Sequence, residues 1–438
     1  MKEKQGFGIV LPITLLAYFL ILMDNSIIFT SSVQIGESLN LSASSLAWVS
    51  NAYTLTFGGF LLLSGRLSDL LGRKRIFQIG LTIFGLSSLV IGLSQSAAMM
   101  VIARGVQGIG SSIIAPTTLA LIMDAYQDEQ RTRAISYYGA TAGIGASVGL
   151  LIGGALTSFI SWRAGFLINV PLTLILFLMT QRGIAKTAGK AAKIDYVGSL
   201  LSVVGLASLI YGLDGRYYQA YFFIAGLILL VIFYFYEKGN AQPIMPLSLF
   251  HNKVRFGAYL VRFLLMTAML PYWFLLPQSL QGVYGFSALQ SGFAFLPMTI
   301  MTFITALQLP RLSKRFGNNT VLLVGEAILL IGLIWSSLIP LSQGYLTAVV
   351  LPMILLGIGQ AMVVAPVTTA GIYQAPDEIA GAASGLTNAM HQIGGPVGLS
   401  LILAMTSDFQ NSLGIMAVFT ALALILVYFL IYQKGANK

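Results

Sequence analysis

The chain has 438 residues, of which 57% are hydrophobic and only 9% charged, against roughly 25% charged in soluble domains. That balance, with a mean hydropathy of +0.85, excludes an ordinary soluble protein, and the lack of cysteine excludes a disulfide framework or thiol chemistry. A formal charge of +10 raises nucleic acid as a partner, but the placement of the charges argues against it.

Apolar runs of about 20 residues, each long enough to cross a bilayer, recur from end to end. Fourteen spans are expected, at 7–32, 45–64, 77–95, 99–122, 134–159, 164–181, 195–213, 218–237, 254–276, 287–310, 319–338, 345–369, 380–406 and 412–433. The first run is too long for a signal-peptide core and lacks an A-x-A cleavage site, so it is expected to stay as the first span. No connection is long enough for a soluble domain. An even number of spans puts both termini on one side. Of the 24 Lys and Arg residues, 20 fall on that side. Arg163 and Arg216 lie in opposite loops, and Arg104 and Arg262 lie inside spans. By the positive-inside rule both termini are cytoplasmic. The basic excess is then a topology signal, and the bilayer, not nucleic acid, is the expected partner.

An internal repeat appears at a shift of 245 residues: Arg66-Leu67-Ser68 and Gly72 match Arg311-Leu312-Ser313 and Gly317, and Gly149 and Gly153 match Gly394 and Gly398. Gly108-Ile109-Gly110 and Ala115-Pro116 recur nearby as Gly357-Ile358-Gly359 and Ala365-Pro366. The expected organisation is a duplicated six-span unit, 1–183 and 251–438, with an inserted two-span hairpin at 184–250. Parallel halves around a midplane site are a transporter design.

In chain order, the first polar signal is Asp24, inside span one. Arg104, inside span four, lies at matched depth, about 7–11 Å below the far boundary by helical rise. A carboxylate or guanidinium in hydrocarbon is costly and functional by default, and an Asp24–Arg104 ion pair reconciles the two charges. The loop after span two reads GRLSDLLGRKRI. Gly65 and Gly72 are expected to turn the chain tightly, and Asp69 sits among Arg66, Arg73, Lys74 and Arg75. In span five, Gly145, Gly149, Gly153 and Gly154 form a small-residue stripe suited to close helix packing. Glu326, in span eleven, is a second buried acid, and Arg262 in span nine lies at a depth where it can answer it. Asn388, His391 and Gln392 share a helical face of span thirteen and are expected to line a central cavity. The aromatic candidates for that cavity are Tyr53, Phe57, Tyr272, Trp273, Phe293 and Phe295.

The G-x-L-x-D-x-x-G-R-K pattern resembles the cytoplasmic signature of the major facilitator superfamily. WVSNAY (Trp48–Tyr53), ARGVQG (Ala103–Gly108), FLINVP (Phe166–Pro171), LMD (Leu22–Asp24) and GFSALQSGFAFLP (Gly285–Pro297) narrow the resemblance to its fourteen-span drug:proton antiporter branch, over the whole chain. The likeness implies an all-α membrane fold of two six-helix bundles plus the hairpin. It also implies alternating access and proton-driven export of small amphipathic or cationic compounds. It places proton coupling on Asp24 and Arg104. Glu326 is a further candidate by its place inside a span, not by the likeness. One departure is that Leu150 stands where the branch's span-five motif usually has proline.

There is no Walker loop, metal cluster or nucleophile–base constellation, so an enzyme is not expected, and protons are the only cofactor-like species implied. A monomer is expected. Two rivals stand beside the drug antiporter. One is a narrow-specificity metabolite exporter or facilitator of the same fold, and the other is a membrane scaffold or sensor that transports nothing.

Overall fold

The computed structural model describes residues 7–185, 195–215, 217–240 and 243–433. The fourteen apolar runs all fall on helices, and no strand occurs among the described residues. They are α1 (Val10–Leu39), α2 (Ala43–Leu71), α3 (Arg73–Gly92), α4 (Ala97–Ala125), α5 (Asp128–Phe159), α6 (Trp162–Gly183), α7 (Tyr196–Asp214), α8 (Gln219–Gly239), α9 (Lys253–Tyr284), α10 (Ala288–Phe316), α11 (Asn318–Leu338), α12 (Leu346–Gly371), α13 (Asp377–Met405) and α14 (Phe409–Tyr432). Among the described residues twelve helices are long and apolar enough to cross a membrane. The other two long helices, α2 and α13, have 29 residues each, a rise of about 43 Å and ample to span. Side chains cap several entries where the backbone would leave free N–H groups. Ser42 accepts from the Ser45 amide and Ser96 from the Met99 amide, and Ser287 forms a reciprocal capping box with Gln290.

Two spans are broken, α6 near Ile168 and α10 near Phe295. Proline explains both. Pro171 and Pro297 lack an amide to bond the carbonyls four residues back, Leu167 and Phe293, so the ladder slips there.

The helices pair in a repeating pattern. α1 packs on α5, α2 on α4, α3 on α4 and α3 on α6. The same pairings recur as α9 on α13, α10 on α12, α11 on α12 and α11 on α14. Matched glycines mark the correspondence. A Cβ at Gly108 would stand 2.3 Å from the Tyr53 carbonyl oxygen, and one at Gly357 2.3 Å from that of Met298. Gly110 abuts the Phe84 amide nitrogen as Gly359 abuts that of Leu329. The α7–α8 hairpin lies against α2 and α13 through α7.

Gly72 and Gly317 carry φ values of 86° and 80°, a region that disfavours any residue with a Cβ, and both end one helix and start the next. Gly65 does not turn the chain. The α2 helix runs through it to Leu71, because the polar GRLSD segment forms the last turns of a helix longer than its apolar run.

Candidate functional site

Asp24 is fully buried on α1, and three side chains from two other helices converge on it. From α4, Arg104 donates to Oδ2 at 2.8 Å and Gln107 donates to Oδ1 at 2.9 Å. From α6, Asn169 donates to Oδ1 at 2.6 Å. Ser88 of α3 stands behind them and accepts from Gln107 at 2.8 Å and from Asn169 at 3.3 Å. Asp24, Ser88, Arg104, Gln107 and Asn169 are all 0% exposed. A buried charge without partners is prohibitive, and here one carboxylate is met by one guanidinium and two amides. All three groups donate and the carboxylate only accepts, so the set fits its ionised form.

Arg104 is held through its Nε and Nη1, while its Nη2 has no hydrogen-bond partner among the described residues. Its Nε donates to the Val49 carbonyl at 3.0 Å and its Nη1 also donates to Gln107 Oε1 at 2.6 Å. The guanidinium lies over the Tyr53 ring, 4.1 Å from its centroid. The Tyr53 hydroxyl is 2.8 Å from the Ser111 hydroxyl, and Phe57 packs edge-on to the Tyr53 ring. Tyr53 therefore supports the ion pair from below.

The glycines of α5 fix how closely α1 approaches. A Cβ at Gly145 would lie 3.0 Å from Leu22 Cβ, one at Gly149 2.7 Å from Met23 Cα, and one at Gly153 2.8 Å from Ile27 Cα. Three small residues at helical spacing thus seat the Asp24 turn of α1. Gly154 faces the other way, where a Cβ would stand 2.7 Å from the Ala288 carbonyl oxygen of α10. Leu150 is buried in the same helix, and α5 passes it without a break.

The motif between α2 and α3 ties helix ends together. Arg73 forms an ion pair with Asp124 and donates to the Ala120 carbonyl in the last turns of α4. Lys74 donates to the Gln181 carbonyl near the end of α6 at 2.7 Å. Cations at helix C-termini also meet the favourable end of the helix dipole. Asp69 lies in the last turn of α2, with its side chain outside the described residues. Lys2, Lys4, Lys186, Lys190, Lys193, Arg216, Lys434 and Lys438 also lie outside them.

The remaining candidates do not form one site. Tyr272 is buried in α9. Trp273 stacks on Phe295 at 5.1 Å and approaches Phe29 of α1 at 6.1 Å. Asn388 is exposed and His391 half-buried on α13. Gln392 presses against Gly58 of α2, whose Cβ position would be 2.5 Å from the glutamine Cβ. Phe293 is exposed.

The expected Glu326–Arg262 pair does not form. Neither carboxyl oxygen of Glu326 has a hydrogen-bond partner among the described residues. Arg262 instead donates through Nη1 to the Val364 carbonyl at 3.2 Å. Their depths match, but α11 packs on α10, α12 and α14 and not on α9, so the two side chains sit on different seams. Conversely, Ser88, Gln107 and Asn169 are site residues that charge-based reading passes over. The available signal was the Arg104–Gln107 spacing, one helical turn on the face toward Asp24.

Among the described residues, the hydrogen bonds between residues 1–183 and 251–438 lie toward the end of the bundle opposite the termini. There Gln34 donates to Gln281 at 2.9 Å, Gln281 to the Thr30 carbonyl at 3.3 Å and the Leu289 amide to Ser158 at 3.0 Å. Asn51 of α2 donates to Ser400 of α13 at 3.0 Å.

Comparisons with known proteins agree with this architecture. The family model for the Major Facilitator Superfamily matches residues 14–399. The chain is 33% identical over 405 residues to the cephamycin export protein CmcT of Amycolatopsis lactamdurans, covering 90% of this chain and 83% of the relative. It is 34% identical over 419 residues to the puromycin resistance protein pur8 of Streptomyces alboniger, covering 91% and 81%. It is 30% identical over 421 residues to the methylenomycin A resistance protein of Streptomyces coelicolor, covering 92% and 87%. Among solved structures, the nucleoside transporter NupG superposes with a TM-score of 0.68 at 14% identity, over 97% of this chain and all of that one. The inward-open xylose transporter XylE from E. coli also gives 0.68, at 15% identity over 96% and 95%. At those identities the likeness is one of fold. The chain is a multi-pass membrane transporter that belongs to the Major Facilitator Superfamily, and its relatives are antibiotic export and resistance proteins.

Proposed function

We propose that the protein is a proton-coupled antiporter that exports antibiotics and related amphipathic small molecules by alternating access. In this reading it sits in the cytoplasmic membrane as a monomer with both termini in the cytoplasm, as the basic-residue distribution favours. Residues 1–183 and 251–438 act as the two rocking bundles, and 184–250 is an accessory hairpin.

The observation that carries the coupling is the Asp24 cluster. A proton arriving on Asp24 turns one acceptor oxygen into a donor. Oδ1 faces two amide donors and Oδ2 faces a guanidinium, so a proton on either oxygen displaces at least one of them. Those donors lie on α4 and α6, and the proton therefore changes how α1, α4 and α6 hold together. That gives protonation a differential energy between two arrangements, which pumping requires. The seam between the bundles is closed opposite the termini, an arrangement that supports an inward-facing state awaiting substrate.

The test is proton release on substrate addition to purified protein held at a pH low enough to protonate Asp24 beforehand, followed with a pH dye. Wild type is expected to release protons, and Asp24→Asn is expected to release none while still binding neutral substrate. Proton release from Asp24→Asn equal to that of wild type would move the coupling site elsewhere.

A further inference from the structure

Arg262 on α9 is a buried cation that the Asp24 cluster does not use. It is 6% exposed, and among the described residues its Nε has no hydrogen-bond partner and its one hydrogen bond, to the Val364 carbonyl, is to a neutral group. Among the described residues no carboxylate stands within ion-pair distance of it. The buried acids among the described residues are committed or remote: Asp24 is neutralised by Arg104, Glu237 lies on α8 and accepts from the Met245 amide, and Glu326 lies on α11, which has no packing seam with α9. A guanidinium taken out of water without an anion is costly.

Its surroundings lie between the two halves of the transporter. Arg262 is within electrostatic reach of Tyr18 on α1 and of His391 on α13. Tyr18 stacks on Tyr138 of α5 at 4.0 Å. His391 leaves its Nδ1 without a hydrogen-bond partner among the described residues. The cluster thus brings one fixed positive charge, hydroxyls and an imidazole together against aromatic faces. Tyr18 precedes Asp24 by six residues on one helix, about 9 Å toward the termini. The uncompensated charge therefore stands on the terminus side of the proton site.

We infer that Arg262 receives an anionic group of the transported molecule, and that the preferred substrates are amphipathic carboxylates, not cations. This rests on the export reading above and names its substrate class. The guanidinium takes the carboxylate through its free N–H groups, and the Tyr18–Tyr138 stack takes the apolar body. Among the described residues no ionised carboxylate at the seam between the halves is left free to take a cationic substrate, because Asp24 already has its cation.

The experiment uses the full chain in phosphatidylcholine nanodiscs, with 4-octylbenzoate, its methyl ester and 4-octylphenyltrimethylammonium as probes. Wild type is expected to bind the benzoate about tenfold more tightly than the ester or the cation, the order of one charge-assisted hydrogen bond. Arg262→Gln should lose that preference and keep its affinity for the ester, and Arg262→Lys should keep part of it. Equal affinity of wild type for the three probes overturns the proposal, whatever the variants do. So does a benzoate preference that survives in folded Arg262→Gln. Loss of benzoate binding on adding phosphatidylglycerol would assign the site to an anionic lipid headgroup and also overturn it. The antiporter reading fails separately, if no probe that binds moves protons through wild type.

Discussion

The two halves share a backbone plan and differ in chemistry. Gly80, Phe84 and Gly110 meet as Gly325, Leu329 and Gly359 do, and Gly149 and Gly153 seat α1 as Gly394 and Gly398 seat α9. These matches locate the second-half equivalents of the Asp24 cluster. Ser88 corresponds to Leu333, Arg104 to Met353, Gln107 to Leu356 and Asp24 to Leu264. Leu333, Met353 and Leu356 are 0% exposed and belong to one apolar cluster, against which Leu264 packs. One half therefore carries a buried polar network built around an ion pair, and the other fills the same space with aliphatic side chains. A well-packed apolar core is often as stable as a buried ion pair or more so. Stability alone thus gives no reason to keep charges in the first half, and the asymmetry points to work done there.

The largest effect that tests this contrast is expected at Asp24. Asp24→Asn preserves shape but leaves Arg104 buried without a counter-ion, at a cost of about 3–5 kcal/mol. It should also abolish uphill export driven by a pH gradient in inverted vesicles. The double change Asp24→Asn with Arg104→Gln should recover most of the melting temperature and none of the export. Export restored along with stability would make the network structural, and the two halves would then differ in packing only.

A sharper comparison exchanges equivalent residues. Gln107→Leu removes the donors to Asp24 and Ser88, and Leu356→Gln places an amide among aliphatic neighbours. Each should lower stability by about 1–3 kcal/mol, the cost of a buried polar group left unsatisfied. Only Gln107→Leu should reduce substrate-induced proton release per folded molecule. Equal loss in both variants would show that general loosening of either bundle, and not the network, governs coupling.

Much of this arrangement is legible in the sequence because hydrocarbon makes charges conspicuous. Run length gives the spans, and depth along them brings Asp24 to Arg104. Depth does not give azimuth, and for that reason Glu326 and Arg262 match in height and never meet. Neutral polar residues carry no comparable signal. Ser88 and Asn169 look like any serine or asparagine in a span until the fold turns them toward Asp24. Apolar periodicity also misjudges helix ends that continue past the bilayer, as at Gly65.

Where the halves agree in backbone, paired substitutions should agree in effect. Gly72→Ala and Gly317→Ala each force a Cβ into φ values of 86° and 80°, and each should destabilise by about 1–3 kcal/mol. The measure is thermal melting of the two single variants side by side. A large difference between them would mean that the repeat does not extend to the strain at its loops.

The smallest effect is expected at Gly65, where the halves part again. Its counterpart at the shift of 245 is Pro310, inside α10. Gly65 lies inside α2, and a Cβ added there would meet nothing within 4 Å. Ala in place of a helical Gly lowers the entropy lost on folding, a gain of roughly 0.5–1 kcal/mol. Gly65→Ala should therefore raise the melting temperature slightly. If Gly65 serves only as a helical residue, export should not change. If Gly65→Ala melts higher yet exports more slowly, the glycine is there for motion: α2 must bend at that point when the halves rock, and its counterpart bends by carrying a proline.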